Sequence, residues 1–323
     1  MNVHAASLAE KQRLDRSTSA FARDVIEDLS RAPKRLSPKY LYDTTGSELF
    51  EQVTRLPEYY PTRTELSILR DRRQQISAFI PDGAALVEFG AGATTKVRLL
   101  LGACRLGAYA PVDISGEFLN AQAEALRTDY PALDIHPVVV DFASPFELPE
   151  ATKALPKVGF FPGSTLGNFE PGEACRFLKN ARTILGRGGR MILGVDLEKD
   201  ERTLHDAYND GAGVTALFNL NVLHRINREL GGDFDIGAFV HRAIYNRDHH
   251  RIEMHLVSRK ALTVAVLGRK FSFRAGESIH TENSYKYSIE RFALLARISG
   301  WKLLETWTDE KAMFSVHALE ASD

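Results

Sequence analysis

From about residue 62 the chain alternates short apolar runs with amphipathic stretches of helical length. The pattern predicts a helix over residues 62–79, a strand in ALVEFG, a helix over 94–101, a strand in AYAPVDIS, a helix over 116–128 and a strand in IHPVVVDF. It continues through a strand in KVGFFPGS, a helix over 171–185 and a strand in RMILGVDL. Strands that read as continuous apolar runs are buried on both faces, which is the signature of a parallel sheet covered by helices. The alternation therefore predicts a doubly wound α/β domain.

After Leu197 the rhythm changes. Helical patterns over 200–208 and 214–230 are followed by β-rich runs, AFVHRAIYN, RIEMHLVS, LTVAVLG and KFSFRAG, at hairpin-like intervals, leading into IHTENSYKYS. An antiparallel sheet here interrupts the alternation, so residues 198–286 are expected to form an inserted α+β domain. The rhythm resumes with a helix over 288–299 and two strands, WKLLETWT and MFSVHALE, joined by a turn at Asp309 and Glu310. A sheet that closes with such a hairpin is typical of one group of nucleotide-cofactor folds.

Composition narrows the partners. A chain of 323 residues is long enough for about two domains, and a net charge of −1 gives no global attraction to nucleic acid or membrane. A small-molecule partner is expected. Only Cys104 and Cys175 occur, which gives no disulfide framework and no metal-ligand spacing, and fits a reducing cytoplasm. The N-terminus shows no basic stretch leading into an apolar core, and no run approaches the ~18 apolar residues of a membrane span. The ten histidines follow no metal-binding spacing and read as structural or solvated. No repeat or low-complexity segment stands out.

The segment LVEFGAGATTKVRLLL, residues 86–101, places a strand, a glycine loop and a helix in succession, as a cofactor loop requires. Gly90 and Gly92 permit close backbone approach, but Thr95 stands where a dinucleotide fingerprint has its third glycine, which argues against a nicotinamide cofactor. Glu88 ahead of G-x-G resembles motif I of class I S-adenosylmethionine (SAM)-dependent methyltransferases. Two further strand ends add acceptors. Asp113 can take hydrogen bonds from ribose hydroxyls, while Asp141 and Phe142 offer an acceptor for an adenine amino group and a ring for its face. All three strand ends lie at the carboxyl edge, where open α/β sheets bind ligands. FFPGSTLGNF, residues 160–169, follows at the next one.

In IHTENSYKYS an extended backbone puts His280, Glu282, Ser284 and Lys286 on one face and Thr281, Asn283 and Tyr285 on the other. Taken alone, the stretch fits either a solvated strand face or a polar pair aimed at a ligand.

Five segments then combine: PKYLYDTTGSELFEQVTRLPEYYPTRTE, VEFGAGATTKVRLLL, FFPGSTLGNFEP, AYNDGAGVTALFNLNVLHRIN and IHTENSYKY. Together they resemble the histidine-specific methyltransferases of ergothioneine biosynthesis, over residues 30–320. The resemblance implies a class I SAM-dependent methyltransferase with a Rossmann-like doubly wound sheet. Residues 1–61 and 198–286 would then form a substrate-binding domain, and 62–197 with 287–323 the methyltransferase domain. It further implies trimethylation of the α-amino group of L-histidine to hercynine, with SAM as the cofactor. By the same resemblance Tyr40, Gly90, Lys96, Asp113, Asp141 and Phe142 are cofactor positions. Tyr60 would lie beside cofactor and substrate, Asn168 and Tyr208 would hold the amino and carboxylate groups, Gly163 and Thr215 would line the same pocket with Met254 as a nearby apolar wall, and Glu282 with Ser284 would grip the imidazole; Tyr60, Tyr208 and Asn168 are expected to orient the amine.

That last pairing has a chemical reason. A neutral imidazole offers one N–H donor and one acceptor nitrogen, so a carboxylate and a hydroxyl on one strand face meet both. An indole lacks the ring acceptor and a phenyl ring lacks both groups, so either leaves a polar group unpaired. Methyl transfer from a sulfonium is an in-line displacement that needs no metal, and alignment supplies much of its rate. The amine, with a pKa of about 8, must first lose a proton, through water or a tyrosine oxygen. The expected alternative is N-methylation of a related amino acid or a histidine derivative. A binding protein that has lost catalysis and a nicotinamide oxidoreductase are the remaining rivals. A monomer is expected, with domain closure around the substrate.

Overall fold

The computed structural model describes residues 19–322; the N-terminal stretch expected to carry no export signal, and the start of the 1–61 segment, lie outside them. The chain divides into two compact units.

One unit comprises residues 54–207, 245–252 and, among the described residues, 283–322. Its sheet runs, from one edge, Trp301–Thr308, Phe314–Ala321, Arg190–Asp196, Lys157–Phe161, Ala84–Phe89, Leu106–Asp113 and Asp134–Ile135. The five strands from Arg190–Asp196 onward are parallel, and Phe314–Ala321 is antiparallel to both of its neighbours, as the closing hairpin in the sequence suggested. Chain order reverses around Ala84–Phe89. The next strand, Leu106–Asp113, lies on one side of it and Lys157–Phe161 on the other, so their carboxyl ends open a crevice of the kind that holds nucleotide ligands.

The central strand Ala84–Phe89 is buried at every position, as its apolar sequence requires. Helix Pro171–Leu185 has the limits read from sequence, because Pro171 opens it and Glu170 and Glu173 form a capping box. Two elements differ from expectation. The helix over 62–79 is two helices, Tyr60–Asp71 and Arg73–Phe79, broken at Arg72. IHPVVVDF is two short strands, Asp134–Ile135 and Val138–Val139, both paired with Leu106–Asp113. Pro137 falls between them and has no N–H to continue the ladder.

The other unit holds the described residues up to Val53 together with Tyr208–Ile244 and Glu253–Glu282. Helices Thr44–Val53 and Val214–Leu230 pack together and are pinned by Asp43, which accepts from Asn221 at 2.7 Å, Arg228 at 2.6 Å and the Gly46 N–H at 2.8 Å. Gly46 is required there, since a Cβ would lie 1.7 Å from the Leu41 carbonyl oxygen. The sheet runs Lys34–Arg35, Ser278–Tyr285, Arg251–Ser258 and Phe239–Asn246. Lys34–Arg35, too short to stand out in the sequence, pairs in parallel with Ile279 and His280. Leu262–Val266 and Arg269–Phe273 form a separate two-stranded hairpin.

Candidate active site

In the larger unit the glycine loop leaves Ala84–Phe89 and turns onto the neighbouring strand. The amides of Gly90 and Ala91 both donate to the Val112 carbonyl, at 2.8 and 3.0 Å. Gly90 has φ +70°, and a Cβ there would touch the Phe142 ring at 3.4 Å, while one at Gly92 would meet open space. The loop therefore presents bare backbone beside the Phe142 ring.

Asp113 is half-buried and accepts from the Ser115 N–H at 2.8 Å, and no side-chain donor pairs with it among the described residues. Burial pushes its carboxyl up to about 6. Asp141 accepts from the Ala143 N–H at 3.0 Å. The Phe142 ring meets Phe161, Phe169 and Phe177 edge-on and is itself only half-buried. Two carboxylates and a partly open ring beside a loop with no side-chain bulk fit the ribose and adenine of SAM. Glu88 is buried and accepts from the Tyr109 hydroxyl of the next strand; burial pushes its carboxyl up to about 8.

Lys96 and Gly163 meet on a residue that sequence patterning did not single out. Glu65, buried in helix Tyr60–Asp71, accepts from the Gly163 N–H at 2.9 and 3.0 Å and pairs with Lys96 Nζ at 2.5 Å. Gly194 makes room for it, since a Cβ there would lie 2.1 Å from Glu65 Oε1. Gly163 has φ +82°, and the next residue, Ser164, holds φ 57° although it carries a side chain. Such a conformation is costly and is kept where the surroundings fix it. Here the Ser164 hydroxyl accepts from the Asp196 N–H at 2.9 Å and its carbonyl accepts from Gly167 N–H at 2.8 Å. That tight turn ends in the 3-10 helix Thr165–Asn168. A Cβ on Gly167 would come within 2.8 Å of the Tyr285 carbonyl, so the turn bearing Asn168 lies directly against the strand bearing Ser284.

Tyr60 is joined to Ser284 through buried charges. Its hydroxyl donates to Asp196, at 2.7 and 2.9 Å from the two carboxylate oxygens, and accepts from Lys199 Nζ at 2.7 Å. Asp196 also pairs with Lys199 at 2.6 Å and with Lys286 at 2.7 Å, and Lys286 Nζ donates to Ser284 Oγ at 2.8 Å. Burial would raise the Asp196 carboxyl, but the Lys286 and Lys199 ammoniums outweigh it and hold the group below its ordinary value. Burial lowers the Lys199 ammonium in spite of Asp196 beside it. On the opposite strand face, Asn283 and Tyr285 donate to Glu170, at 3.1 and 2.6 Å, with Arg251 Nη1 at 2.9 Å.

This unit thus brings together Tyr60, Gly163, Asn168 and Ser284 of the expected substrate positions. Of the supporting groups, Lys286 lay on the face read from sequence. Asp196, Lys199 and Glu65 carried no signal beyond a charged residue within or beside an apolar run.

The smaller unit places the remaining positions. Glu282 is buried, with the Tyr42 hydroxyl 3.3 Å from Oε1, and Tyr42 packs edge-on against Phe50 and Phe218. The solvated-face reading of IHTENSYKYS is therefore excluded, because Thr281 to Lys286 are all buried. Met254 is buried in Arg251–Ser258 and its carbonyl accepts from Thr281 Oγ1 at 3.0 Å. Tyr208 ends helix Glu201–Tyr208, its carbonyl 2.8 Å from His241 Nε2. Asp210 accepts from the amides of Val214 and Thr215, each at 2.8 Å, and so fixes the start of helix Val214–Leu230 with Thr215 in its first turn. Tyr40 donates to Asp24 at 2.6 Å and packs on Phe21, with its ring centroid 4.5 Å away.

Over residues 21–321 the chain matches the family described as histidine-specific methyltransferase, SAM-dependent. The chain belongs to this family. It is 42% identical over 320 residues to the histidine N-alpha-methyltransferase of Mycolicibacterium smegmatis, covering 96% of this chain and 98% of that protein. The enzyme of the same name from Mycobacterium tuberculosis is 41% identical over 317 residues, with the same coverage of 96% and 98%. Ergothioneine biosynthesis protein 1 of Neurospora crassa is 31% identical over 290 residues, 85% of this chain and 32% of its own length. Among solved structures, a SAM-dependent methyltransferase from Clostridium acetobutylicum shares the fold at a TM-score of 0.51 and 11% identity, covering 85% of this chain and 99% of that one. The chain is accordingly a SAM-dependent methyltransferase of the class I fold, as the glycine loop and strand-end carboxylates suggested. No helix among the described residues is long and apolar enough to cross a membrane.

Proposed function

We propose that this methyltransferase trimethylates the α-amino group of L-histidine to hercynine, a step of ergothioneine biosynthesis, by three successive in-line transfers. The observation that carries the reading is the burial of Glu282 and Ser284 two positions apart on one strand. A buried carboxylate and hydroxyl in that spacing match the donor and acceptor of a neutral imidazole, and leaving either unpaired is costly.

In this reading Asp113, Asp141 and Phe142 hold the nucleoside of the cofactor, with Gly90 and Gly92 giving the loop its close approach. Bound SAM supplies the methyl group on a sulfonium, an activated leaving group. Tyr60 orients the amine. Its proton is committed to Asp196 and Lys199 donates to its oxygen, so toward a substrate it acts as an acceptor for an amine N–H. Asn168 and Tyr208 hold the amine and carboxylate, with Gly163, Thr215 and Met254 as lining. Tyr40, Glu88 and Lys96 support the cofactor end. Aromatic rings also tolerate a growing methylammonium, by about 0.5–2 kcal/mol of cation–π attraction. The active form proposed is a cytoplasmic monomer. The free state of Cys104 and Cys175 supports the compartment, and sedimentation of the purified protein tests the monomer.

The test of the activity is mass spectrometry after incubation with SAM and the twenty amino acids together. A gain of three methyl groups on histidine alone, lost in Glu282→Ala, is the expected result. Methylation of another amino acid by the parent protein refutes the substrate assignment.

A further inference from the structure

In its proposed role Ser284 has no fixed direction, since a hydroxyl both donates and accepts. Lys286 restricts it. Its side chain is fully buried two residues beyond Ser284, with Nζ 2.8 Å from Ser284 Oγ and 2.7 Å from Asp196 Oδ2. Burying an ammonium requires such compensation, and Asp196 is itself 1% exposed and shared with Lys199 and Tyr60. An ammonium donates and cannot accept. Ser284 is therefore the acceptor in that bond, and its own proton points away from Lys286.

We propose that Lys286 is a specificity-determining positioning residue: by donating to Ser284 it takes one of that hydroxyl's lone pairs, turns the proton away from itself and sets a positive charge beside it, so that the pocket takes a ring nitrogen carrying a lone pair. The inference rests on the reading that Ser284 meets the substrate ring. It adds that the ring is selected as neutral imidazole, with the N–H directed to Glu282 and the unprotonated nitrogen to Ser284. A ring with a second N–H in that place is an imidazolium, a cation brought up to a hydroxyl that already accepts from the Lys286 ammonium. Asp196 in turn holds Lys286 in place.

Steady-state kinetics with L-histidine on Lys286→Met, Ser284→Ala and the double variant tests this. A grip made equally in ground and transition states appears in KM with kcat little changed. Each single variant is expected to raise KM about tenfold, the scale of a lost charge-assisted hydrogen bond. The double variant is expected to be no worse than Ser284→Ala alone, because Lys286 acts through that hydroxyl. If Ser284→Ala leaves KM unchanged, the site reading itself fails. If Ser284→Ala raises KM but Lys286→Met adds the same factor in both backgrounds, or has no effect on KM, Lys286 is merely structural and the proposal is overturned. Should Lys286→Met not fold, Lys286→Gln takes its place in the same cycle with the same outcomes.

Discussion

Replacing Asp196 by asparagine keeps the shape of the side chain and removes its charge. The carboxylate accepts from the Tyr60 hydroxyl and pairs with two lysines, Lys199 at 2.6 Å and Lys286 at 2.7 Å, whose side chains are 8% and 0% exposed. The variant therefore takes from two interior ammoniums the carboxylate that both pair with. Breaking a buried pair in this way costs about 3–5 kcal/mol. Asparagine retains one acceptor oxygen, which places the loss near ~3 kcal/mol, a fall in Tm of about 6–12 °C at ~2–4 °C per kcal/mol.

The pH dependence separates this cause from a packing defect. In the parent protein the Asp196 carboxyl is lowered, so its stabilisation is present above the unfolded value of about 4 and is lost only as pH falls through the lower folded value. In the variant Lys199, already lowered by burial, loses the anion that opposes that lowering. A lysine whose folded pKa lies below its unfolded value of about 10.4 gives stability that rises with pH. The gap in Tm between parent and variant should thus narrow from pH 7 to pH 9 in a thermal denaturation series. A Tm at pH 7 within about 2 °C of the parent's, under one kcal/mol on the same scale, would refute the argument, as would a gap that widens toward pH 9.

Two other outcomes follow from the cofactor side. In its proposed role Asp113, pushed up to about 6, must be ionised to accept two ribose hydroxyls, so S-adenosylhomocysteine should bind about tenfold more weakly at pH 5 than at pH 7.5. Isothermal titration calorimetry measures this; a flat profile over that range would remove Asp113 from the ribose site, and Asp113→Asn should abolish the pH dependence. Gly194→Ala would place a Cβ 2.1 Å from Glu65 Oε1 and drive that carboxylate off the Gly163 N–H and Lys96. A loss of about 1–3 kcal/mol in stability is expected from overpacking, with weaker S-adenosylhomocysteine binding, and an unchanged Tm and affinity would show that Glu65 has room to move.

What the sequence determined was whatever depends on neighbours along the chain. Apolar runs of strand length identified the buried parallel strands, Pro171 and the Glu170–Glu173 box set a helix start to the residue, and G-x-G marked the glycine loop between strand and helix. Period-two alternation put Glu282, Ser284 and Lys286 on one face. The break at Arg72 and the parallel strand Lys34–Arg35 escaped it, the first because a helical period continues across the joint, the second because two residues carry no period. Whether IHTENSYKYS faced water or protein was equally undecidable, since burial is a property of what packs on a strand and not of its own alternation. The tertiary structure decided that, and it alone joined Tyr60, Asp196, Lys199 and Lys286, which come from a helix start, a strand end and two connecting segments. Charges so far apart in sequence leave no pattern there. Their pairing follows from desolvation, which makes each buried charge costly unless the fold supplies its partner.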